Sequence, residues 1–460
     1  MVHSFKIDDT CIMLDANSGA VSVIDDMTHD LLTAIQGAEP NPGAVPAAVQ
    51  DELSQYDPDA LQETWDELVA LKEEGVFFAE DPYAEIAANP RNNSVVKAMC
   101  LHIAHDCNLR CRYCFAETGS YEGPRGLMSA EVGKKAIDYL IESSAHRKNL
   151  EVDFFGGEPL LNFDVVKEIV RYARGREQET GKHFRFTITT NGILLDEDKK
   201  QFINQEMDNI VLSIDGRKAV NDKMRIRIDG SGSYDSIIPK FIDMAESRNQ
   251  DRYYVRGTFT RENLDFKEDV LHLADLGFKQ ISVEPVVAEA DAPYMLREED
   301  LPTLFAQYEE LAIEYVKRKK EGNGFNFFHF MVDLTGGPCI LKRLSGCGAG
   351  HEYVAVAPNG DIYPCHQFVG DETKLLGNVE KPGLKEEISR EFRNCNVYTK
   401  PACKDCFAKF YCSGGCAANA VQYGGGINNP LPLSCALMKK RLECAIYCEV
   451  HKMQLEAANE

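Results

Sequence analysis

"HIAHDCNLRCRYCF", residues 102–115, gathers Cys107, Cys111 and Cys114 on one short stretch, and the next cysteine in the chain is Cys339. Three thiolates can hold three irons of a [4Fe–4S] cube and leave the fourth open to a small molecule. A closed structural zinc site wants four ligands. His102 or His105 could offer the fourth, so on this stretch alone zinc stays open.

The rest of the composition narrows the choice. The chain has 460 residues, 44% hydrophobic and 27% charged, in the range of a globular protein of about three domains. Its formal charge of −23 argues against a nucleic-acid partner. The start, "MVHSFKIDDT", has no basic and apolar signal regions, and no run reaches the ~18 apolar residues of a membrane span. A cytoplasmic location with no membrane contact is expected. Sixteen cysteines in a reducing compartment point to metal or cluster ligation. Eleven of them fall between Cys339 and Cys448.

Along the chain, residues 1–85 read as a small separate unit. "FKIDDTCIMLDANSGAVSVID" predicts two strands joined at Asn17-Ser18-Gly19, followed by helical stretches such as "LQETWDELVALKEEG". A linker is expected near "DPYAEIAANPRNN". Residues 95–300 alternate strand and helix, with strands at "VKAMCLHIA", "LEVDFFG", "HFRFTITTN", "NIVLSID", "YYVRGTFT" and "QISVEPVV". Six such strands predict a parallel α/β sheet, short of a closed eight-stranded barrel. Ligands should sit at the strands' carboxyl ends, where Cys107, Gly156, Asn191 and Asp215 fall. Residues 301–335 form a linking helix, and residues 336–460 the cysteine-rich last part.

Cys107-x3-Cys111-x2-Cys114, with Tyr113 before the last cysteine, resembles the signature loop of the radical S-adenosylmethionine (SAM) enzymes. The resemblance implies a partial (β/α)6 barrel whose open iron is chelated by SAM. An electron then cleaves SAM to a 5′-deoxyadenosyl radical that takes a hydrogen from the substrate. "FFGGEP" resembles the family's SAM-ammonium turn, with Gly156 and Gly157 permitting close approach and Glu158 adding a negative charge for the cation. By resemblance, Ser213 contacts the ribose or carboxylate of SAM, and Arg225 pairs with the carboxylate. Asp215 belongs to the same site, and Arg256 is a second carboxylate partner or a surface salt bridge. Tyr113 lies near the adenine, with Asn191 and Glu284 in support.

Cys403-x2-Cys406-x5-Cys412-x3-Cys416, followed by Cys435 and preceded by Cys347, Gly360 and Cys365, resembles the SPASM extension of these enzymes. Its alternative is a pair of zinc knuckles. The resemblance implies two auxiliary [4Fe–4S] clusters, three in all. The first takes Cys347, Cys365, Cys416 and Cys339, or leaves an iron open for a substrate thiolate if Cys339 does not ligate. The second takes Cys403, Cys406, Cys412 and Cys435. Cys11, Cys100, Cys395, Cys444 and Cys448 are expected in the core.

The first unit resembles the winged-helix-like element that binds the leader of a ribosomally made peptide by strand addition. A plain structural cap is its alternative. The whole chain resembles maturases of SCIFF peptides, among the sactipeptide and ranthipeptide synthases. This implies thioether formation from a cysteine sulfur to an acceptor carbon, with a flavodoxin or ferredoxin as electron donor. Formylglycine formation on a sulfatase is the alternative enzyme, and a non-catalytic zinc or electron-transfer scaffold the alternative class.

Overall fold

A computed structural model describes residues 1–88, 95–121, 123–335, 340–381 and 383–457. Strands β1 (Val2–Ile7), β2 (Thr10–Asp15) and β3 (Val21–Ile24) form an antiparallel sheet in that order. The sequence had suggested two strands here. The first run breaks in two because Asp8 turns into the left-handed region (φ 52°), leaving Asp8 and Asp9 as a tight turn. Buried Asp15 closes the next turn, accepting from the amides of Asn17 at 2.7 Å and Ala79 at 3.0 Å.

The two faces of this sheet do different things. Met13 packs with Leu31, Trp65, Leu68 and Phe77 from the unit's own helices. Phe5, Ile7, Ile12 and Leu14 join the core that also holds the long C-terminal helix, Pro432–Ala457. The unit therefore shares a core with the rest of the chain instead of standing apart. The first part of the expected linker is anchored too: Ala84–Ala88 is helical, and Tyr83 and Ala87 pack beside Cys403 and Phe410, while its residues 89–93 lie outside the described residues.

The main sheet contains β4 (Ala98–His105), β5 (Gly126–Leu127), β6 (Asn149–Gly156), β7 (His183–Thr190) and β8 (Asn209–Ser213). It continues through β9 (Tyr253–Phe259), β10 (Gln280–Pro285), β11 (Asn326–Phe327), β12 (Tyr353–Val356), β13 (Asp361–Tyr363) and β14 (Gly377–Asn378). Their spatial order is β11-β10-β9-β8-β7-β6-β4-β12-β13-β14, with β5 paired to β4. The six expected strands are present as parallel neighbours from β4 to β10. Strands β5, β11, β12, β13 and β14 were not anticipated; of these β12, from the cysteine-rich part, extends the sheet parallel to β4, pairing Tyr353 with Ala98.

Alternation along each strand builds a hollow. On β6, Leu150, Val152 and Phe154 are fully buried, as are Phe184, Phe186 and Ile188 on β7. They pack under helices such as Ala130–Ser143 and Phe163–Thr180, whose Ile137, Leu140, Val166 and Ile169 are also fully buried. Period-two geometry puts Asp153, Thr187, Arg256 and Glu284 on the opposite face. Doubly covered parallel strands usually read as continuous apolar runs. Here the inner face is polar, and the sheet encloses a space.

The outer layer is a stability determinant. Phe154 stacks on Phe186 with ring centroids 5.7 Å apart. Phe154→Ala should destabilise the chain by about 3–5 kcal/mol, as for other large-to-small core changes. Denaturant unfolding under anaerobic conditions measures it.

Candidate active site

The loop after β4 is laced to the segment after β8. Arg110 N–H donates to the Ile226 carbonyl at 2.7 Å and Arg112 N–H to that of Met224 at 2.9 Å. This brings Cys107, Cys111 and Cys114 to the carboxyl ends of the strands, lining a cavity of about 490 Å³. Burial pushes the Cys107 and Cys111 thiols up to about 12, and neighbouring thiols on the loop push the same way. Ligation to iron would draw those protons off. Three crowded thiols on one loop are a donor set that fits a cluster held on three sides.

The two candidate histidines are elsewhere. His102 is fully buried and faces His105 at 3.2 Å, beside Tyr121. Neither histidine lines the cavity, so neither completes a zinc site with the loop thiols.

Gly156 and Gly157 pack closely against the backbone at the end of β4. Gly156 has φ +119°, and a Cβ there would lie 2.4 Å from the Ala104 carbonyl oxygen. A Cβ on Gly157 would lie 2.2 Å from that of Asp106. Glu158 borders the cavity as expected, but its carboxyl is turned into the fold. Its side chain is fully buried, accepting from Leu160 N–H at 2.9 Å, the Thr190 hydroxyl at 2.8 Å and Asn191 N–H at 2.8 Å. The carboxyl ties the end of β6 to the end of β7 and is spent on those bonds. Burial pushes it up to about 7.

Asp215 also differs from expectation. It is fully buried and takes the Tyr113 hydroxyl on both oxygens at 2.7 Å, Arg225 Nε at 2.9 Å and Thr258 N–H at 3.1 Å. It is a brace for Tyr113 and Arg225, which themselves line the cavity. The Arg225 guanidinium stands over the Tyr113 ring, 5.6 Å from its centroid. Asn191 reaches Asn108 at 2.8 Å and Cys107 Sγ at 3.6 Å. Ser213 and Arg256 are register partners, and Arg256 pairs with Glu284 at 2.8 Å inside the cavity. Arg256 thus forms an exposed salt bridge, one of its two expected roles, at the wall of the cavity.

The cavity extends past the cysteine loop. Cys100, Asp153, Phe155, Tyr353, His366 and Asn419 also line it. Cys100 is buried in the core as expected, at 2% exposure, and borders the cavity from there; sequence reasoning passed over the others. Only His366, beside Cys365, carried a signal in its position. The Tyr353 hydroxyl and His366 Nδ1 lie 3.5 Å apart.

The tail thiols form two sets. Burial raises Cys365, with Cys416 and Cys347 pushing the same way. Burial likewise raises Cys403, with Cys412, Cys435 and Cys406 adding to it. Cys339 lies outside the described residues. No three His, Cys, Asp or Glu among the described residues are arranged to hold a single metal ion. A cluster interposes its own iron and sulfide between thiolates, so the crowding of the thiols is the better guide to fit. Cys11, Cys395, Cys444 and Cys448 are buried as expected.

Two family models match: a 4Fe-4S single cluster domain over residues 97–239 and the SPASM iron-sulfur cluster-binding domain over residues 347–407. These matches support a radical SAM enzyme with a SPASM domain. Similar proteins include mycofactocin maturase MftC of Mycolicibacterium smegmatis, 28% identical over 72% of this chain and 80% of that protein. A cysteine-type anaerobic sulfatase-maturating enzyme of Clostridium novyi is 24% identical over 68% of this chain and 86% of that protein. The fold is also similar to that of Streptococcus suis SuiB, solved with its precursor peptide SuiA. That match has a TM-score of 0.52 and 17% identity, and it covers 93% of this chain and 97% of SuiB. No helix among the described residues is long and apolar enough to cross a membrane.

Two outcomes are expected of this radical SAM site. Replacing Cys107, Cys111 and Cys114 together with Ala should abolish 5′-deoxyadenosine formation while iron remains bound by the tail; chromatography and iron analysis read both. The second concerns Asp153, pushed up to about 7 by burial and then by Glu151. The fold favours its neutral form. Its stability contribution is full below the ordinary aspartate value and is lost as pH rises to about 7, by up to about 1.4 kcal/mol per pH unit. Asp153→Asn should flatten the fall of Tm between pH 5 and 7, leaving the region above 7 parallel to wild type.

Proposed function

We propose that this enzyme joins cysteine sulfurs to carbons as intramolecular thioethers in a ribosomally made, Cys-rich precursor peptide of the SCIFF type. The observation that carries the proposal is the shared cavity. It runs from the Cys107–Cys114 loop to Cys100, His366 and Asn419, next to the first auxiliary thiols Cys365 and Cys416. An acceptor carbon facing SAM and a sulfur near that auxiliary site could then occupy one space.

In this reading Cys107, Cys111 and Cys114 hold the SAM-binding cluster, and Cys347, Cys365 and Cys416 the first auxiliary cluster, with Cys339 as the expected fourth ligand. Cys403, Cys406, Cys412 and Cys435 hold the second. These clusters and SAM supply the radical that removes a hydrogen and the acceptor for the electron released as the C–S bond closes. The chain's own groups do the positioning. Gly156 and Gly157 admit the SAM ammonium to backbone carbonyls, while Arg225, held by Asp215, and Ser213 address the carboxylate and ribose. Tyr113 borders the adenine, and Asn191 steadies the Cys107 side. Arg256 and Glu284 present paired charges to the substrate from the far wall. The electron donor is a flavodoxin or ferredoxin.

A peptide substrate is supported by the N-terminal sheet. Both outer strands, β1 and β3, pair only with β2; β1 packs beside the C-terminal helix, whereas β3 exposes Val23 at 47%. A leader could add there as a further strand. SuiB, whose fold is similar across the N-terminal unit as well, was solved with a precursor peptide. The sulfatase-maturating relative favours formylglycine formation instead, a reaction that needs no leader-binding edge.

Mass spectrometry of a Cys-rich precursor after incubation with reduced enzyme and SAM tests the reaction. Loss of two hydrogens per thioether is expected, and formylglycine on a sulfatase peptide alone would replace the proposal. Reconstituted enzyme should carry about twelve irons, four per cluster. Val23→Pro, which removes an amide from the β3 edge, should lower crosslinking of dilute precursor severalfold, with recovery at high peptide concentration.

A further inference from the structure

Residues of the N-terminal unit grip the loop between Cys406 and Cys412 at both ends. The His3 ring stacks on Phe407, centroids 3.6 Å apart and planes 8° from parallel. His3 Nε2 also meets Glu443 at 2.9 Å, and Glu443 holds Lys440 at 2.6 Å. From the other side of the unit, Asp81 accepts from Lys409 Nζ at 2.8 Å and from the Tyr398 hydroxyl at 2.7 Å. Tyr83 stands edge-on to Phe410 at 5.1 Å.

These contacts are placed to matter. Lys409 is only 4% exposed, and its ammonium also lies over the Tyr398 and Phe410 rings. Removing one partner of such an ion pair leaves a buried charge without compensation, which costs far more than the pair's net worth. The loop is tight: Lys409 N–H donates to the Cys406 carbonyl at 3.1 Å and Cys412 N–H to that of Ala408 at 2.8 Å. A shift of the Lys409 or Phe407 side chain is therefore transmitted within two or three residues to a cysteine. Phe410 and Cys403 share one small core with Leu344 and Val397, against which Tyr83 packs.

We infer that His3 and Asp81 are positioning residues of the second auxiliary site, and that the N-terminal unit forms one wall of it. The inference rests on Cys403, Cys406, Cys412 and Cys435 being cluster ligands. A unit with this role cannot be removed without disturbing iron in the tail, even when no peptide is present. Partners that orient metal ligands typically change metal affinity by about 10- to 100-fold when lost.

The experiment uses the full-length, anaerobically reconstituted enzyme and follows iron release to a chelator together with the EPR signals of the reduced clusters. Asp81→Asn should release about a third of the iron, one cluster's share, at least about tenfold faster than wild type. One EPR signal should change and the others persist. Asp81→Glu should restore the slow rate, as should the charge swap Asp81→Lys with Lys409→Asp. The fast phase should be absent when Cys403, Cys406 and Cys412 are already Ala. His3→Gln provides the same test from the other end if Asp81→Asn does not fold. Wild-type release and spectra in both variants would overturn the inference, as would equal loss of all clusters or a fast phase that survives the cysteine replacements. If the triple cysteine variant keeps its full iron and spectra, the ligand assignment itself has failed, and that result is distinct from the others.

Discussion

The inner face of the parallel sheet carries Asp153, Thr187, Arg256 and Glu284 where a closed barrel would carry branched apolar side chains in packed layers. Polar groups of this kind do not interdigitate into a dry core, because each needs a partner or water. The sheet can keep them only by staying open around a cavity. The helices outside supply the hydrophobic burial that the interior forgoes, through Phe154, Phe184, Phe186 and their neighbours. The cavity, the loop that caps it and the room for a substrate all follow from that division between the faces.

Within the cavity, buried carboxyls do much of the ordering. Asp215 spends its oxygens on Tyr113, Arg225 and a backbone amide, and Glu158 spends its own on two strand ends. Asp215 sits one layer behind the groups that face the cavity, whereas Glu158 borders it with its carboxyl turned into the fold. This fixes the orientation of Arg225 before any ligand arrives, and pre-organisation of this kind spares binding energy that ordering would otherwise consume. The cysteine loop is pinned in the same spirit by backbone bonds to residues 224 and 226.

The cysteine-rich part is joined to the barrel and to the N-terminal unit alike. Strand β12 pairs with β4, so the segment that carries Cys347 and Cys365 is held in fixed relation to the Cys107–Cys114 loop. The C-terminal helix packs on Leu301–Lys320 and on the face of β1 and β2. Three segments that look consecutive and independent along the chain thus share one continuous core. The N-terminal sheet, the cavity and the cysteine-rich part are thus tied into one frame.

The sequence by itself determined the elements whose signals are local. Strand alternation gave the six parallel strands, and fixed spacings gave the cysteine groups together with the glycine turn at Gly156 and Gly157. The turn at Asp8 was legible only in part, because an apolar run interrupted by two acids does not say whether it bends. What tertiary structure decided were partnerships between distant residues. Whether Glu158 and Asp215 face a cofactor or brace its neighbours depends on which strand ends adjoin, a matter of sheet order. The pairing of β12 with β4, the entry of Cys100 and His366 into the cavity, and the grip of His3 and Asp81 on the Cys406–Cys412 loop join residues some 250 to 400 positions apart. No spacing along a chain encodes such contacts, because their energy comes from complementary surfaces that exist only once the whole chain has folded.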